Sequence, residues 1–368
     1  MIYLDSAATT LQKPGSVASA VASAVRNITT PGRGDHAAAS RAAETMLALR
    51  TLAAKYFGVS SPEQIVLTMN ATHALNLAIK SVVKPGDTVV ISGYEHNAVT
   101  RPLHVTEDVK VRVVNGKLFD PDQMAAGFEQ AVDSNVKAVI CTHISNVFGY
   151  VLPMDDIAAI CKNRGVPLIV DASQSAGILP VRMDMWGAAY VAMPGHKGLY
   201  GPQGTGLLLC GDGYLPDPLL QGGTGSLSRL PDMPDFLPDR LEAGTQNIHG
   251  AAGLLEGLRF VSSYPPGRIA HYEGKLIAML ADGLEKTGKF RVFRCAGDQS
   301  VLSVVPENRT PEELASWLAE RGIATRAGLH CAPLAHLSAG TDLSGTLRFS
   351  VSAFNREDEI ERVLNLLR

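Results

Sequence analysis

Residues 166–177 read VPLIVDASQSAG, and residues 191–206 read VAMPGHKGLYGPQGTG. Each segment contains a short apolar run, which is typical of a strand buried on both faces of a parallel sheet. Polar residues follow where each run ends: Asp171 in the first segment, and His196 and Lys197 in the second. Ligands of open α/β sheets bind beyond the carboxyl ends of the strands, so we expect these side chains to face a ligand crevice.

The same alternation of β-branched runs with helical or polar segments extends from about residue 65 to residue 210. It predicts an α/β fold, with a mainly parallel sheet sandwiched by helices. Strands are predicted at Ile65–Met69, Thr88–Ser92, Val136–His143, Val166–Asp171, Tyr190–Met193 and Thr205–Cys210. Two helices are predicted before them, one over 16–28 with Ser16 as its N-cap and one over 37–57 closed by Gly58.

The remainder of the chain predicts a smaller α+β domain. Residues 211–247 are rich in Gly, Pro, Ser and Asp, so we expect ordered active-site loops there. A helical stretch over 250–286 is broken at Pro265 and Pro266. Strand-like runs follow at 290–294, 301–305, 323–326 and 346–352, with helices over 310–321 and from Asn355. The predicted domains are residues 16–253 (large) and 254–368 together with 1–15 (small).

Composition excludes several classes of protein. The chain has 368 residues, of which 46% are hydrophobic and 19% charged, so a large packed core is expected. With 33 Lys and Arg against 36 Asp and Glu and no basic run, nucleic acid is not an expected partner. No stretch approaches the roughly 18 apolar residues of a membrane span, and Asp5 interrupts the N-terminus before any signal-type segment. The five cysteines lack CxxC spacing, so we expect neither disulfides nor a metal site, and a cytoplasmic location.

Two more motifs follow predicted strands. In IVLTMNATHALN, residues 65–76, the chain turns at Asn70 and Ala71 into a helix whose first turn holds Thr72. Free amides at a helix N-terminus beside a hydroxyl can cradle a phosphate, and the absence of a Walker or GxGxxG pattern favours a small phosphate ester. In VVISGYEHNA, residues 89–98, the imidazole of His96 can stack on an aromatic ligand or relay a proton.

These pieces are together what pyridoxal 5'-phosphate (PLP) requires. They offer a lysine for a Schiff base, a carboxylate for the pyridine nitrogen, a stacking ring and amides for the phosphate. Lys197 also lies among glycines, which we expect to permit close approach of a ligand. The sequence resembles the class V aminotransferase family, within it the cysteine desulfurase and selenocysteine lyase branch, from YLDSAATT at 3–10 to LRFSVSAFN at 347–355. The resemblance implies fold type I of the PLP-dependent transferases.

The resemblance also implies roles for residues in the cofactor motifs. These roles are Lys197 as the Schiff-base lysine, His196, Ala71 and Thr72 at the phosphate, Asp171 on the pyridinium nitrogen, Gln174 on the phenolic oxygen, His96 over the ring, and Asn146 of ISNVFG near cofactor and substrate. Thr245 of LEAGTQN is implied to enter the neighbouring subunit's phosphate site, and hence a homodimer with shared active sites. Pro194 and Ala71 depart from the family pattern, and each removes one hydroxyl donor to the phosphate.

A second set of residues is implied for substrate chemistry. TRAGLHCAPLAH, residues 325–336, resembles the cysteine loop of the desulfurases, which makes Cys331 the persulfide-forming nucleophile, with Arg326 ahead of it. Arg348 matches the arginine that grips the substrate α-carboxylate, a role that suits a bidentate guanidinium. GRGDHAAAS, residues 32–40, makes Arg33 and His36 secondary candidates. The other cysteines, Cys141, Cys161, Cys210 and Cys295, are assigned to the core.

The resemblance implies conversion of L-cysteine to L-alanine. Lys197 is expected to remove the Cα proton, Cys331 to take the sulfur as a persulfide, and His96 to relay a proton. The persulfide passes to a small thiol or a sulfur-accepting protein. Three alternatives stay open: selenocysteine lyase or cystine C–S lyase, an aminotransferase in which Cys331 is incidental, and a silent scaffold or sulfur-relay protein. Retention of Lys197, Asp171 and His96 counts against the last of these.

Overall fold

The computed structural model describes residues 1–31, 34–295, 297 and 299–368. After β1 (Ile2–Tyr3), the central strands are β2 (Ile65–Thr68), β3 (Thr88–Ser92), β4 (Lys110–Val114), β5 (Val136–Thr142), β6 (Leu168–Asp171), β7 (Tyr190–Pro194) and β8 (Gly206–Cys210). Across these ranges they form one seven-stranded sheet of order β2-β8-β7-β6-β5-β3-β4. Strand β8 is antiparallel to both neighbours and the other adjacent pairs are parallel. The predicted mainly parallel sheet is confirmed.

The helices that surround this sheet follow the predicted alternation. They are α1 (Gly15–Asn27), α2 (Ala37–Phe57), α3 (Ala71–Val82), α4 (Asn97–His104), α5 (Pro121–Ala131), α6 (Met154–Arg164), α7 (Met183–Trp186), α8 (Ile248–Ser262) and α9 (Arg268–Glu285). Gly58 closes α2 in the left-handed region, at φ 69°. The prediction for Ser16 was wrong: Pro14 precedes the first helical residue and Ser16 lies inside α1, where it caps nothing.

Both faces of the central sheet are buried. In β3, Val90 packs into one apolar cluster, while Val89 and Ile91 pack into the cluster on the opposite face. This double burial explains why the interior strands read as continuous apolar runs. Strand β4 was not predicted, because it lies at the sheet edge and most of its side chains are partly or fully exposed.

The segment from 211 to 247 forms no helix or strand, as its composition predicts. It is fixed by hydrogen bonds: Asp217 N donates to Ser81 Oγ at 2.8 Å, and Arg240 Nε donates to Pro216 O at 2.8 Å. Among the described residues, no helix combines the length and the apolar character needed to cross a membrane.

The C-terminal part of the chain builds a second sheet. Its strands are β9 (Phe290–Phe293), β10 (Val301–Pro306), β12 (Arg326–Gly328) and β13 (Thr346–Ser350), and its helices are α10 (Pro311–Ala319), α11 (Pro333–Ala339) and α12 (Glu357–Leu367). In the described part of the chain this is a four-stranded antiparallel sheet of order β12-β13-β10-β9. The single strand predicted over 323–326 is divided, because its first half, β11 (Ile323–Ala324), leaves this sheet to pair with β1.

The N-terminus is joined to this second sheet. Strand β1 lies parallel to β11, with Ile2 opposite Ile323. Just beyond it, Asp5 forms an isolated parallel bridge with Ser350 at the end of β13. These contacts bring the side chain of Asp5 to Arg348 of the C-terminal sheet. The boundaries proposed for the two domains stay a prediction.

Candidate active site

The carboxyl ends of five strands that run in the same direction surround one cavity. Its volume is about 100 Å³. The turns after β2, β3, β5 and β7 contribute Thr72, His96, Asn146 and Lys197 to its wall, and the end of β6 contributes Asp171. Parallel strands bring their carboxyl ends to one edge of a sheet, so residues distant in sequence meet there. The structure therefore brings together the cofactor motifs singled out in the sequence.

Lys197 follows strand β7 and lies in the cavity wall. It begins a turn in which Tyr200 N donates a hydrogen bond to Lys197 O at 2.9 Å. Burial lowers the pKa of Lys197 to about 8, since the ammonium loses hydration, and the nearby carboxylate of Asp171 acts in the opposite direction. A substantial fraction of this amine is therefore neutral near neutral pH, which a nucleophilic lysine requires.

The glycines beside Lys197 lie against neighbouring protein atoms. A Cβ added at Gly195 would overlap Thr205 Oγ1, and one added at Gly198 would overlap Ala176 O. Both glycines thus let neighbouring protein atoms approach the lysine turn. The expectation that these glycines permit close approach of a ligand stays a prediction.

Asp171 and His96 contribute the acid–base groups of the cavity. Asp171 is 3% exposed, and its Oδ1 accepts a hydrogen bond from Ser173 N at 2.9 Å. His96 Nδ1 accepts from Ala98 N at 3.0 Å, which places the proton of the neutral ring on Nε2. Burial lowers the pKa of His96 and the charge of Asp171 raises it. Gln174 lines the same cavity and donates from Nε2 to Ala7 O at 3.1 Å.

The N-terminus of α3 forms the polar end of the cavity. Asn70 caps it, its Oδ1 accepting from His73 N at 2.9 Å. The N–H groups of Ala71 and Thr72 precede the first intrahelical bonds and have no partner within the helix. Among the described residues, the buried His196 Nδ1 also has no hydrogen-bond partner.

These residues fit PLP. Unpaired N–H groups at a helix N-terminus, together with an unpaired imidazole nitrogen, suit a phosphate. The lysine with a lowered pKa suits an aldehyde, and the buried carboxylate of Asp171 suits a protonated pyridine nitrogen. Pro194 and Ala71, where the family pattern offers hydroxyl donors, also line the cavity.

The C-terminal sheet adds two arginines and the thiol. Arg326 and Arg348 face each other directly across strands β12 and β13. Arg348 is 1% exposed; its Nη2 contacts Asp5 Oδ1 at 2.8 Å and its Nη1 donates to Asn146 O at 2.9 Å. Cys331 is exposed, with Sγ 3.9 Å from Arg326 Nη2. In the part of the chain that is described, Arg348 Nε has no partner.

Comparison with known proteins assigns the family. The family model for aminotransferase class V matches residues 2–363. This chain belongs to the aminotransferase class-V family. It is 34% identical to a probable cysteine desulfurase of Methanothermobacter thermautotrophicus, over 98% of this chain and 92% of that protein. It is 30% identical to a cysteine desulfurase of Escherichia coli O7:K1, over 99% and 92% of the two chains.

Solved structures of cysteine desulfurases have a similar fold. The apo structure of a cysteine desulfurase from Thermococcus onnurineus superimposes with a TM-score of 0.91 at 29% identity, covering 100% of this chain and 93% of that one. The cysteine desulfurase CsdA from Escherichia coli gives a TM-score of 0.86 at 27% identity, covering 99% and 92%. The α/β class and the PLP-dependent transferase fold predicted from the sequence are thereby confirmed.

Five of the predicted site residues that the structure describes do not line the cavity of this class-V chain: Arg326, Cys331 and Arg348 of the C-terminal region, and Thr245 and His36. Thr245 is exposed and lines two neighbouring pockets instead. His36 is exposed and caps α2, its Nδ1 accepting from Ala39 N at 3.3 Å. Arg33 lies outside the described residues. Cys141, Cys161 and Cys210 are buried as predicted, whereas Cys295 is partly exposed because it follows the end of β9.

Sequence reasoning missed three charged residues near the site of this class-V fold. Asp5, in YLDSAATT, pairs with Arg348. Lys13 donates from Nζ to Thr10 Oγ1 at 2.8 Å, and burial lowers its pKa to about 8. Glu95, directly before His96, is fully buried, and burial raises its pKa to about 8. For Asp5 and Glu95 the signal was a carboxylate inside a motif already identified.

Proposed function

We infer that this chain is a PLP-dependent cysteine desulfurase, which converts L-cysteine to L-alanine and carries the sulfur as a persulfide on Cys331. Full-length relatives that bear this name support the inference. The observation that carries it is the position of the exposed Cys331 thiol. Its loop is hydrogen-bonded to Asn97 and Asn146, and Asn146 lines the cavity that holds Lys197.

The residues that would hold PLP are those of the cavity wall. The α3 N-terminus and His196 would bind the phosphate, Asp171 would face the ring nitrogen, Gln174 the phenolic oxygen, and His96 would cover one ring face. When bound, PLP supplies an aldehyde that joins amines covalently and a ring that withdraws electrons from the substrate's α-carbon. Asp171 supports this withdrawal because its carboxylate keeps a ring nitrogen protonated.

Lys197 is the group that moves the proton at the α-carbon. Its neutral amine accepts the proton, a task that fits a pKa lowered to about 8. The charge of Asp171 limits this lowering of the Lys197 pKa. His96 is the proposed second proton carrier, since the accepting role of its Nδ1 leaves the Nε2 proton as the one it can give.

The arginine pair supplies a site for the substrate's carboxylate. Like charges directly opposite in an antiparallel pair destabilise a sheet. Arg326 and Arg348 form such a pair, with Asp5 as the carboxylate in contact with Arg348. An incoming carboxylate would satisfy this excess positive charge, and the unpartnered Arg348 Nε offers it a donor.

Cys331 is the sulfur acceptor in this proposal. Its thiolate bonds to the substrate sulfur as the substrate's Cβ–Sγ bond breaks, and the bonding electron pair stays with carbon. Protonation of that carbon and return of a proton to the α-carbon complete alanine, and the sulfur stays on Cys331 as a persulfide. An acceptor thiol, of a small molecule or of a protein, then removes the outer sulfur. The guanidinium of Arg326 lies next to this thiol, with Nη2 3.9 Å from Sγ.

A homodimer with shared sites belongs to the same proposal. Thr245 is exposed and lies away from its own chain's cavity, as expected of a residue that serves a neighbouring subunit. Chains of Lys197→Ala and of Thr245→Ala should therefore complement each other. When they are mixed, unfolded and refolded together, some hybrid dimers would contain one intact site. Activity no higher than the sum of the separate variants would contradict sharing.

The activity is tested by product analysis on one enzyme batch. Purified protein is given cysteine, selenocysteine, cystine, and alanine with a keto acid, and alanine, sulfide and selenide are measured. We expect alanine from cysteine, and its loss in Cys331→Ala. Turnover that survives undiminished in Cys331→Ala would remove the persulfide step. Activity restricted to alanine with a keto acid would instead make the chain an aminotransferase.

A further inference from the structure

The turn that carries Cys331 adopts an unusual backbone conformation. His330 and Cys331 have φ values of 50° and 58°, so two successive non-glycine residues lie in the left-handed region. L-residues rarely adopt this region, and two in succession persist only when surrounding contacts impose them. The contacts that impose this conformation therefore also fix the direction of the Cys331 side chain.

Two hydrogen bonds hold the consecutive carbonyls of this turn. His330 O accepts from Asn146 Nδ2 at 2.8 Å, and Cys331 O accepts from Asn97 N at 2.8 Å. Both donors belong to the seven-stranded sheet's side of the cavity: Asn97 begins α4 directly after His96, and Asn146 lines the cavity wall. The turn itself lies between β12 and α11 of the C-terminal sheet.

The side chain of His330 fixes the other side of the turn. His330 is 4% exposed, and its ring stacks on that of His336 with 5.8 Å between the ring centroids. Its Nε2 lies 3.2 Å from Thr346 Oγ1. Thr346 Oγ1 is 3.0 Å from Ser303 Oγ, which donates to Val147 O at 2.6 Å. Ring and carbonyl of His330 are thus both tied to the segment that contains Asn146.

We propose that the Asn146 amide and the Asn97 N–H are positioning groups for the nucleophile, which act as a clamp on the His330 and Cys331 carbonyls. Holding both carbonyls forces the turn into its left-handed conformation and directs the thiol toward the cavity edge. The clamp rests on the proposed function, because it gives Asn146 a task at the nucleophile in addition to the contact with cofactor and substrate. It couples the cavity wall to the thiol through one side chain.

Position 97 offers a matched test. Asn97→Pro removes the N–H that holds Cys331 O, at the first position of α4, where proline is well tolerated. The preceding residue, His96, already has φ −75° and ψ 157°, which suit a residue before proline. Asn97→Ala is the control, since it keeps the N–H. Both variants lose the same 3.4 Å contact from Thr100 Oγ1 to the Asn97 side chain.

The first measurement is amide hydrogen exchange of the PLP-loaded protein and of the apoprotein. It reports the turn through Ala332 N, which donates to Leu329 O at 2.9 Å. We expect exchange in the peptide spanning 329–335 to be about tenfold faster in Asn97→Pro than in Asn97→Ala, with peptides of β6 and β7 unchanged. Equal exchange in the two variants would overturn the clamp at Cys331 O.

The second measurement separates kcat from KM for cysteine. A misplaced thiol should lower kcat of Asn97→Pro by about tenfold or more relative to Asn97→Ala, with KM within about twofold. Asn146→Asp, which keeps the shape and removes the donor, should both speed loop exchange and lower kcat. A rise in KM alone, with exchange as in the wild type, would make Asn146 a substrate contact only and overturn its part of the clamp.

The clamp and the proposed function fail in different ways. Undiminished turnover in Cys331→Ala removes the nucleophile, whatever the exchange data show. If Cys331 is required but the position 97 variants agree in both exchange and kcat, the clamp alone is wrong. Thermal unfolding of each variant, monitored by circular dichroism, verifies that a slower variant is folded.

Discussion

The two sheets contribute to the site in different ways. The seven-stranded sheet supplies groups from turns after its parallel strands, among them Lys197 and Asp171. The four-stranded antiparallel sheet supplies Arg348 and Arg326 from paired strand positions and Cys331 from the following turn. Groups suited to a cofactor thus come from one sheet, and groups suited to a substrate come from the other. We therefore expect variants of the two sheets to differ in whether cofactor attachment survives.

The largest effect is expected at Lys197. Lys197→Ala should lower turnover of cysteine by about 10²–10⁴-fold and remove the absorbance band near the visible edge that attached PLP gives. Lys13→Met is the comparison, because Lys13 also has a pKa lowered to about 8 by burial but does not line the cavity, although its Nζ bonds to Thr10 and to the backbone oxygen of His196. Absorbance spectra with and without borohydride check this. A band retained in Lys197→Ala would end the assignment.

Cys331→Ser is expected to separate the two sheets most clearly. The absorbance band should persist, because the seven-stranded sheet is intact, while alanine formation from cysteine falls by on the order of a hundredfold, since a hydroxyl is a far weaker nucleophile than a thiolate. Cys295→Ser is the matched control, as Cys295 is the partly exposed cysteine elsewhere in the C-terminal sheet region. Alanine and sulfide are measured together. Loss of the band in Cys331→Ser would contradict the assignment of cofactor groups to one sheet and substrate groups to the other.

The arginine pair gives a smaller effect, mainly on binding. Arg348→Lys should raise KM for cysteine by about tenfold to a hundredfold, because lysine cannot replace a bidentate guanidinium. Arg326→Lys should raise KM less, since Arg326 is more exposed than Arg348 and Asp5 contacts Arg348. Steady-state kinetics with unchanged absorbance spectra check this order. A larger effect at Arg326 would reverse the roles given to the pair.

The smallest effect is a change in the pH dependence within the seven-stranded sheet. In the apoprotein the Lys197 amine should titrate near pH 8. The Asp171 carboxylate favours the ammonium form, so Asp171→Asn should lower the midpoint by about one pH unit. Nuclear magnetic resonance of ¹³C-methylated lysines follows the titration. A midpoint near the ordinary lysine value would contradict the burial of this amine, and a rise in Asp171→Asn would contradict the effect assigned to the Asp171 carboxylate.

The sequence predicted the site residues that directly follow a buried strand. The turns after β2, β3, β6 and β7 were found because an apolar run that ends in a polar residue marks both the strand and the crevice. Sequence reasoning failed where side chains act across long separations. The contact of Asp5 with Arg348 joins residues 343 positions apart, and the sequence around either residue does not indicate the pairing. Lys13 was missed for the same reason, since its hydrogen-bond acceptors include a backbone oxygen of His196.

Errors in the secondary structure also have physical causes. Strand β4 lies at the sheet edge, and its exposed residues give no buried run to recognise. Ser16 has the chemistry of a helix cap, but the extended backbone of Pro14, at φ −52° and ψ 139°, starts α1 earlier. The segment over 323–326 divides because its first two residues pair with the N-terminal strand β1, a partner that sequence proximity cannot indicate.

The pairing of β1 with β11 has a consequence for synthesis of the protein on the ribosome. Ile2 is translated more than three hundred residues before its partner Ile323. Strand β1 therefore cannot pair with β11 until most of the chain has been synthesised. A nascent chain released before residue 348 contains Lys197 but lacks Arg348, the counter-ion of Asp5, so the ion pair between the N-terminus and the C-terminal sheet forms only when translation is nearly complete.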